Sequence, residues 1–105
     1  MKSIEEWCKE ISEWRKEKGF ITEWENVPTK LMLVVTELSE AMEAYRDRNR
    51  SEFAYELADA TIRIFDLAGT LGVDLEHIIM KKMDVNRERP PIHGRKFNDR
   101  EFINT

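Results

Sequence analysis

Apolar residues recur along most of this chain at the three- and four-residue spacing of α-helices, and glycine and proline divide the pattern into segments. The pattern predicts four helices, over residues 3–18, 28–48, 52–71 and 75–89. Ser3, Ser51 and Asp74 are expected to cap the first, third and fourth helices, and Gly72 to end the third. The sequence therefore predicts one all-α domain of residues 1–105, with about 92–105 as a polar C-terminal tail.

The second predicted helix has two apolar faces when its residues are placed 100° apart. The main stripe consists of Leu31, Val34, Val35, Leu38, Met42 and Tyr45. Glu37 and Glu40 lie beside this stripe, on a second face that also carries Leu33, Ala41 and Ala44. These two acids are therefore expected on a partly covered face of the helix.

The third predicted helix is apolar over more than half of its circumference, which is typical of a central helix. Its polar residues form one narrow strip: Glu52, Glu56, Asp59, Arg63 and Asp66. A central helix that keeps a strip of acids needs a group that neutralises them, because an unpaired buried carboxylate is costly.

Two of these helices each carry a pair of acids three residues apart. Glu37 and Glu40 form one pair, and Glu56 and Asp59 form the other. Residues at this spacing project from one side of a helix, so two facing helices could direct four carboxylates at a Mg²⁺ or Mn²⁺ ion. Such pairs also arise by chance. A solvated helix face for the first pair, and a salt bridge from Arg63 to Asp59 for the second, remain alternatives.

The fourth predicted helix changes character along its inner face, which begins with apolar residues and continues with Lys82 and Asn86. A lysine and an amide near clustered carboxylates suggest phosphate oxygens bridged to a metal, although pairing with neighbouring acids is an alternative. Trp24 precedes the second helix, where it is expected to form an aromatic lid or to stack on a base. No Glu-x-x-His pair accompanies the acids, which argues against a di-iron site.

Composition narrows the possible partners. The net charge of −4 argues against general nucleic-acid binding, which needs a basic surface. The single cysteine, Cys8, excludes an internal disulfide and a cysteine-rich zinc site. We find no signal peptide, and the longest apolar run, 31–35, is too short to span a membrane. The sequence predicts a cytoplasmic protein with neither a nucleic-acid nor a membrane partner.

The acidic motifs and their surroundings resemble one family. Glu37-Leu-Ser-Glu40 is followed after fifteen residues by Glu56-Leu-Ala-Asp59, and Lys82-Met-Asp-Val-Asn86 follows in the fourth helix. This order is similar to that of the MazG-like all-α nucleoside triphosphate pyrophosphatases, over about residues 24–97. Members of that family often have another glutamate just before the first motif acid, where this chain has Thr36.

The resemblance implies a four-helix subunit that forms a helical-bundle homodimer or homotetramer, with sites at subunit contacts. It also implies Mg²⁺-dependent cleavage of a (deoxy)nucleoside triphosphate to monophosphate and pyrophosphate, in nucleotide-pool house-cleaning. Glu37, Glu40, Glu56 and Asp59 are expected to hold one to three Mg²⁺ ions, with Mn²⁺ as a possible substitute. Glu37 is expected to orient or deprotonate the attacking water. Lys82, Asn86 and Trp24 are the expected substrate-binding residues, with Arg95 and Lys96 closing over the phosphates.

Two other functions fit the same sequence. One is a related all-α hydrolase that acts on a phosphoribosyl-nucleotide pyrophosphate. The other is a non-catalytic helical interaction module, which should need neither the four acids nor Mg²⁺. The sequence does not identify the base of a nucleotide substrate, because base selection depends on the shape of the pocket.

Overall fold

The computed structural model describes residues 1–90, which form four α-helices and contain no strand. Helix α1 comprises Ile4–Glu17, α2 Val27–Arg46, α3 Arg50–Leu71 and α4 Leu75–Glu88. A 3₁₀ turn, Trp24–Asn26, leads directly into α2. The prediction of an all-α chain is confirmed. In this part of the chain, no helix combines the length and the apolar character needed to cross a bilayer. The predicted tail lies outside the described residues.

Local side-chain chemistry sets most of the helix ends. The hydroxyl of Ser3 accepts a hydrogen bond from the backbone N–H of Glu6 at 3.1 Å, and the Glu6 carboxylate accepts from the N–H of Ser3 at 2.7 Å. Gly72 ends α3 in the left-handed conformation at φ 73°. Asp74 caps α4 by accepting from the N–H of His77 at 3.1 Å. These predicted caps are confirmed.

The predicted cap of α3 was wrong. This helix begins at Arg50, and the side chain of Asn49 accepts from the N–H of Glu52 at 3.0 Å. Asn49 and Ser51 lie in the same polar turn, and both residue types cap helices well. The earlier residue, Asn49, is the cap. Helix α3 therefore includes Arg50 and Ser51, which the sequence predicts as part of the turn.

Helix α3 is central, as predicted, because it packs against both α2 and α1. The fully buried apolar residues are mostly small: Cys8, Val34, Ala41, Ala44, Ala60 and Ala68. Small residues at a helix crossing let the two backbones approach closely. At Gly69 of α3 the approach is tight, since a Cβ atom there would overlap the carbonyl oxygen of Cys8 and lie 2.6 Å from Ser12 Oγ.

A buried ion pair ties α1 and the connection that follows it to α3. Arg15 Nε donates to Asp66 Oδ2 at 3.1 Å, and Thr22 Oγ1 donates to the same oxygen at 2.6 Å. Thr70 Oγ1 donates to the other oxygen at 3.2 Å. Asp66, one of the acids on the polar strip of α3, is therefore neutralised within the fold. The guanidinium of Arg15 also stacks 4.6 Å from the ring centre of Phe20.

Helix α2 packs on α3 through its second, acid-bearing face. Ala41 and Ala44 of this face are buried, as is Val34 of the main stripe, and Glu37 is half-buried. The remaining main-stripe residues are 48 to 69% exposed: Leu31, Val35, Leu38, Met42 and Tyr45. We call these five residues the α2 outer stripe. Ala41 and Ala44 allow α2 and α3 to approach more closely than the bulky side chains of the outer stripe would. This explains why the acid-bearing face of α2, and not the outer stripe, packs on α3.

Helix α4 makes its main contacts with α1 and is little covered within the subunit. The N–H of Glu5 donates to a carboxylate oxygen of Glu76 at 3.3 Å. Ile78 and Ile79, on the predicted inner face of α4, are 51% and 40% exposed. The expectation that this face packs inward is therefore not met within a single subunit.

Candidate metal centre

Three of the four predicted acids converge between α2 and α3. One carboxylate oxygen from each of Glu37, Glu56 and Asp59 lies within 4.8 Å of the other two. The short turn at 47–49 folds α3 back along α2, which brings the middle of α2 opposite the first half of α3. Acids of two motifs that are separated in the sequence therefore lie close together in the structure.

A cation of α3 already contacts the α2 acid of this cluster. Arg63 Nε donates to Glu37 Oε2 at 2.8 Å, and both side chains are largely buried. This ion pair links two helices, whereas the alternative drawn from sequence paired Arg63 with Asp59 one turn away on the same helix. The pair fixes one oxygen of Glu37 and leaves the other without a hydrogen-bond partner among the described residues.

Glu56 is the buried member of the cluster, at 8% exposure. Its Oε1 atom is buried without any hydrogen-bond partner in residues 1–90. Burial raises the pKa of the Glu56 carboxyl to about 7, and the nearby carboxylates of Glu52 and Glu40 contribute to the same shift. An orphaned carboxylate among other carboxylates is costly, and a bound cation would remove that cost.

The fourth predicted acid, Glu40, stands beside this cluster. Its carboxylate contributes to the raised pKa of Glu56, but it is exposed and does not join the three converging oxygens. Asp59 is exposed as well, so the cluster is buried at Glu56 and open to solvent at its edge. This arrangement leaves access for a substrate.

The donor set fits a hard divalent cation. Carboxylate oxygens are the ligands that Mg²⁺ and Mn²⁺ prefer, and Mg²⁺ usually keeps several waters beside one or two protein carboxylates. Three converging carboxylate oxygens, one of them from the buried Glu56, provide such a set and leave coordination positions for water.

The predicted substrate-binding residues make no polar contact with the acids in the described part of the chain. Lys82 and Asn86 are exposed on α4, and in the described part of the chain neither forms an ion pair or side-chain hydrogen bond with an acid of the cluster. Trp24 is 73% exposed in the 3₁₀ turn. Their roles stay predictions. Arg95 and Lys96 lie outside the described residues.

Two residues of the site were not assigned to it from sequence. Arg63 donates a hydrogen bond to Glu37, and the carboxylate of Glu52 contributes to the raised pKa of Glu56. Both belong to the polar strip of α3, and each lies four residues from a motif acid, Arg63 from Asp59 and Glu52 from Glu56. That strip was a usable signal, since residues i and i+4 of a helix share a face.

Known proteins supply an independent comparison. Among curated proteins, the chain is 37% identical over 51 residues to dCTP pyrophosphatase 1 of Rattus norvegicus and 33% identical over 60 residues to that of Homo sapiens. By sequence, the chain is similar to dCTP pyrophosphatase 1 over about half of its length. The corresponding Bos taurus protein is 39% identical over 51 residues. No family model and no solved structure matches the chain.

The relationship to dCTP pyrophosphatase 1 covers part of each protein. The aligned regions make up 49% of this chain and 30% of the rat protein, and 57% and 35% for the human protein. The chain thus spans about a third of the length of these relatives. Together with the all-helical fold, the relationship confirms the resemblance to the MazG-like family that the acidic motifs indicated.

Proposed function

We propose that the protein is a Mg²⁺-dependent nucleoside triphosphate pyrophosphohydrolase that converts a (deoxy)nucleoside triphosphate to the monophosphate and pyrophosphate in nucleotide-pool house-cleaning. The observation that carries this proposal is the orphaned, buried Oε1 atom of Glu56 beside the carboxylates of Glu37 and Asp59. The name of the relatives, dCTP pyrophosphatase, supports the substrate class and the reaction.

In this proposal Glu37, Glu56 and Asp59 hold the cation, and Glu40 lies next to them. When bound, Mg²⁺ would neutralise triphosphate charge and lower the pKa of a coordinated water. Arg63 holds one oxygen of Glu37 in place, so the other oxygen can orient or deprotonate the water that attacks the α-phosphorus. The bond between the α-phosphorus and the bridging oxygen breaks, and pyrophosphate leaves.

Substrate contacts would come from Lys82, Asn86 and Trp24. Because α4 packs mainly on α1 and the Trp24 side chain is exposed, we propose that a second copy of the chain brings these residues to the triphosphate. Lys82 would then offset charge on the leaving pyrophosphate, Asn86 would contact sugar or phosphate, and Trp24 would cover or stack on the base.

The α2 outer stripe is the proposed self-association surface. Three of its residues, Leu38, Met42 and Tyr45, also line an apolar groove of about 300 Å³ between α2 and α3, together with Phe53 and Leu57. A contiguous exposed apolar surface of this kind marks an interaction site. A homodimer or homotetramer would bury it next to the acids.

Self-association is tested by Leu38→Glu, with Thr29→Glu on the opposite side of α2 as the control. The Leu38 variant should shift the mass measured by light scattering to that of a monomer, because it places a charge in the apolar interface. The Thr29 variant should keep the wild-type mass. An unchanged oligomer in the Leu38→Glu variant would remove this surface from the proposal.

The function itself is tested by Glu56→Gln, with the exposed Glu13→Gln as the matched control. Monophosphate release from a (d)NTP panel is followed by chromatography, with Mg²⁺ and with chelator. The Glu56 variant should lose turnover while circular dichroism shows intact helices, and the Glu13 variant should retain it. An active Glu56→Gln variant would contradict the metal assignment. Absence of both turnover and Mg²⁺ binding in the wild type would favour the interaction-module alternative.

A further inference from the structure

The connection between α1 and α2, residues 18–26, presents its large apolar side chains to solvent. Phe20, Ile21 and Trp24 are 51 to 73% exposed, whereas Thr22 is only 8% exposed. This reverses the usual preference, in which large apolar residues are covered and threonine is exposed. The fold therefore holds the connection by its polar residue and leaves the apolar side chains accessible.

Thr22 attaches the connection to α3. Its hydroxyl donates to Asp66 Oδ2 at 2.6 Å, and within residues 1–90 this is the only side-chain hydrogen bond from the 18–26 connection to a helix. The charge of Asp66 is balanced separately, because Arg15 Nε donates to the same oxygen at 3.1 Å. The buried ion pair therefore does not depend on the Thr22 hydroxyl, whose contribution is the attachment itself.

A closed turn carries this attachment to Trp24. Asn26 Nδ2 donates to the carbonyl oxygen of Ile21 at 2.9 Å, and Asn26 Oδ1 accepts from the N–H of Glu23 at 2.9 Å. These bonds join residues on both sides of Trp24, so the backbone of 21–26 forms one tight unit. The exposed indole makes few contacts that could hold it within the subunit. Its direction therefore depends on how this unit is fixed to α3.

We propose that Thr22 is a positioning residue for binding of the nucleotide base. Its hydrogen bond to Asp66 fixes the 21–26 turn on α3 and thereby holds the Trp24 indole in the direction in which it meets the base. The inference rests on the proposed function, in which Trp24 covers or stacks on the base. A side chain that is held in place before binding loses less freedom when the substrate arrives, so the attachment favours affinity. The hydrogen bond does not involve the acids of the metal centre, so the chemical step should not depend on it.

The test is a double-mutant cycle of Thr22→Val and Trp24→Ala, in which KM and kcat of the purified full chain are measured for the common dNTPs with saturating Mg²⁺. Valine has nearly the shape of threonine but lacks the hydroxyl. Thr22→Val should raise KM about two- to tenfold, as expected for the loss of one hydrogen bond, and leave kcat nearly unchanged. In the Trp24→Ala background it should not raise KM further, because Thr22 acts through the indole.

Thr70→Val is the matched control, because it removes a hydroxyl that donates to the other oxygen of Asp66 at 3.2 Å and lies outside the connection. It should keep the wild-type KM, as should Thr22→Ser, which retains the hydroxyl. An unchanged KM in Thr22→Val would overturn the positioning role and leave the proposed function standing. An equal rise in KM with and without the Trp24 indole would do the same. A wild type that hydrolyses no dNTP would overturn both the proposed function and the positioning role.

Discussion

Replacing Gly69 by alanine tests the close contact between α1 and α3. Helix propensity alone predicts a gain of about 1 kcal/mol for glycine to alanine within a helix. In this structure the added Cβ would overlap the Cys8 carbonyl oxygen and lie 2.9 Å from its carbonyl carbon. Carbon atoms pack at about 3.5–4.0 Å, so α1 would have to move away by more than about 0.5 Å.

Overpacking a tight contact costs about 1–3 kcal/mol, and the upper end applies because the obstacle is backbone. Subtracting the propensity gain leaves a net loss of about 2 kcal/mol, which lowers the Tm of a domain of this size by about 8–16 °C. Thermal unfolding followed by circular dichroism measures this shift. Thr61→Ala, at an exposed position of α3, is the control and should leave the Tm nearly unchanged. A Gly69→Ala variant with a raised Tm would refute the close helix contact.

Further predictions concern the buried charges. Asp66→Asn should lower the free energy of unfolding by about 3–5 kcal/mol in urea titrations, because it leaves the buried guanidinium of Arg15 without a counter-charge. Thr70→Ala, which removes one hydrogen bond to Asp66, should cost only about 0.5–1.5 kcal/mol, and equal losses in the two variants would contradict the importance of the ion pair. The pKa of Glu56 is raised to about 7, so the folded metal-free protein holds a proton that the unfolded chain releases above its ordinary value of 4.5. Stability of the metal-free protein should therefore fall as pH rises from about 5 through 7. Urea titrations of Glu56→Gln should show no such fall in the free energy of unfolding between about pH 5 and 7. Parallel pH profiles of the free energy of unfolding for the two proteins would contradict this prediction.

The predictable part of the fold depends on short-range chemistry. The capping pair Ser3 and Glu6, the left-handed Gly72 and the cap Asp74 each act within a few residues, so sequence identifies them directly. The central position of α3 was predictable too, because a helix apolar around most of its circumference must be covered on several sides.

The contacts between helices were less predictable. Helix α2 offers two apolar faces, and periodicity cannot tell which of them packs, since that depends on how closely Ala41 and Ala44 let α3 approach. The partner of Asp66 lies 51 residues away on α1, and nothing near either residue indicates the pair. Arg63 likewise pairs across helices with Glu37, whereas sequence spacing pointed to its own helix.

The same division applies to the candidate site. Spacing correctly brought together Glu37, Glu56 and Asp59, because i, i+3 pairs on facing helices converge whenever the helices pack through those faces. Lys82 and Asn86 were placed near them on the assumption that the inner face of α4 packs against α2 and α3. In one subunit it does not, and their predicted role depends on a second copy of the chain.

The most direct test of the proposed reaction is phosphorus NMR of the products formed in ¹⁸O-labelled water from a nucleoside triphosphate and Mg²⁺. Attack of water on the α-phosphorus places the label in the monophosphate and leaves the pyrophosphate unlabelled, and chelator or Glu56→Gln should stop the reaction. Label in the pyrophosphate, or release of inorganic phosphate in its place, would contradict the proposed pyrophosphohydrolase.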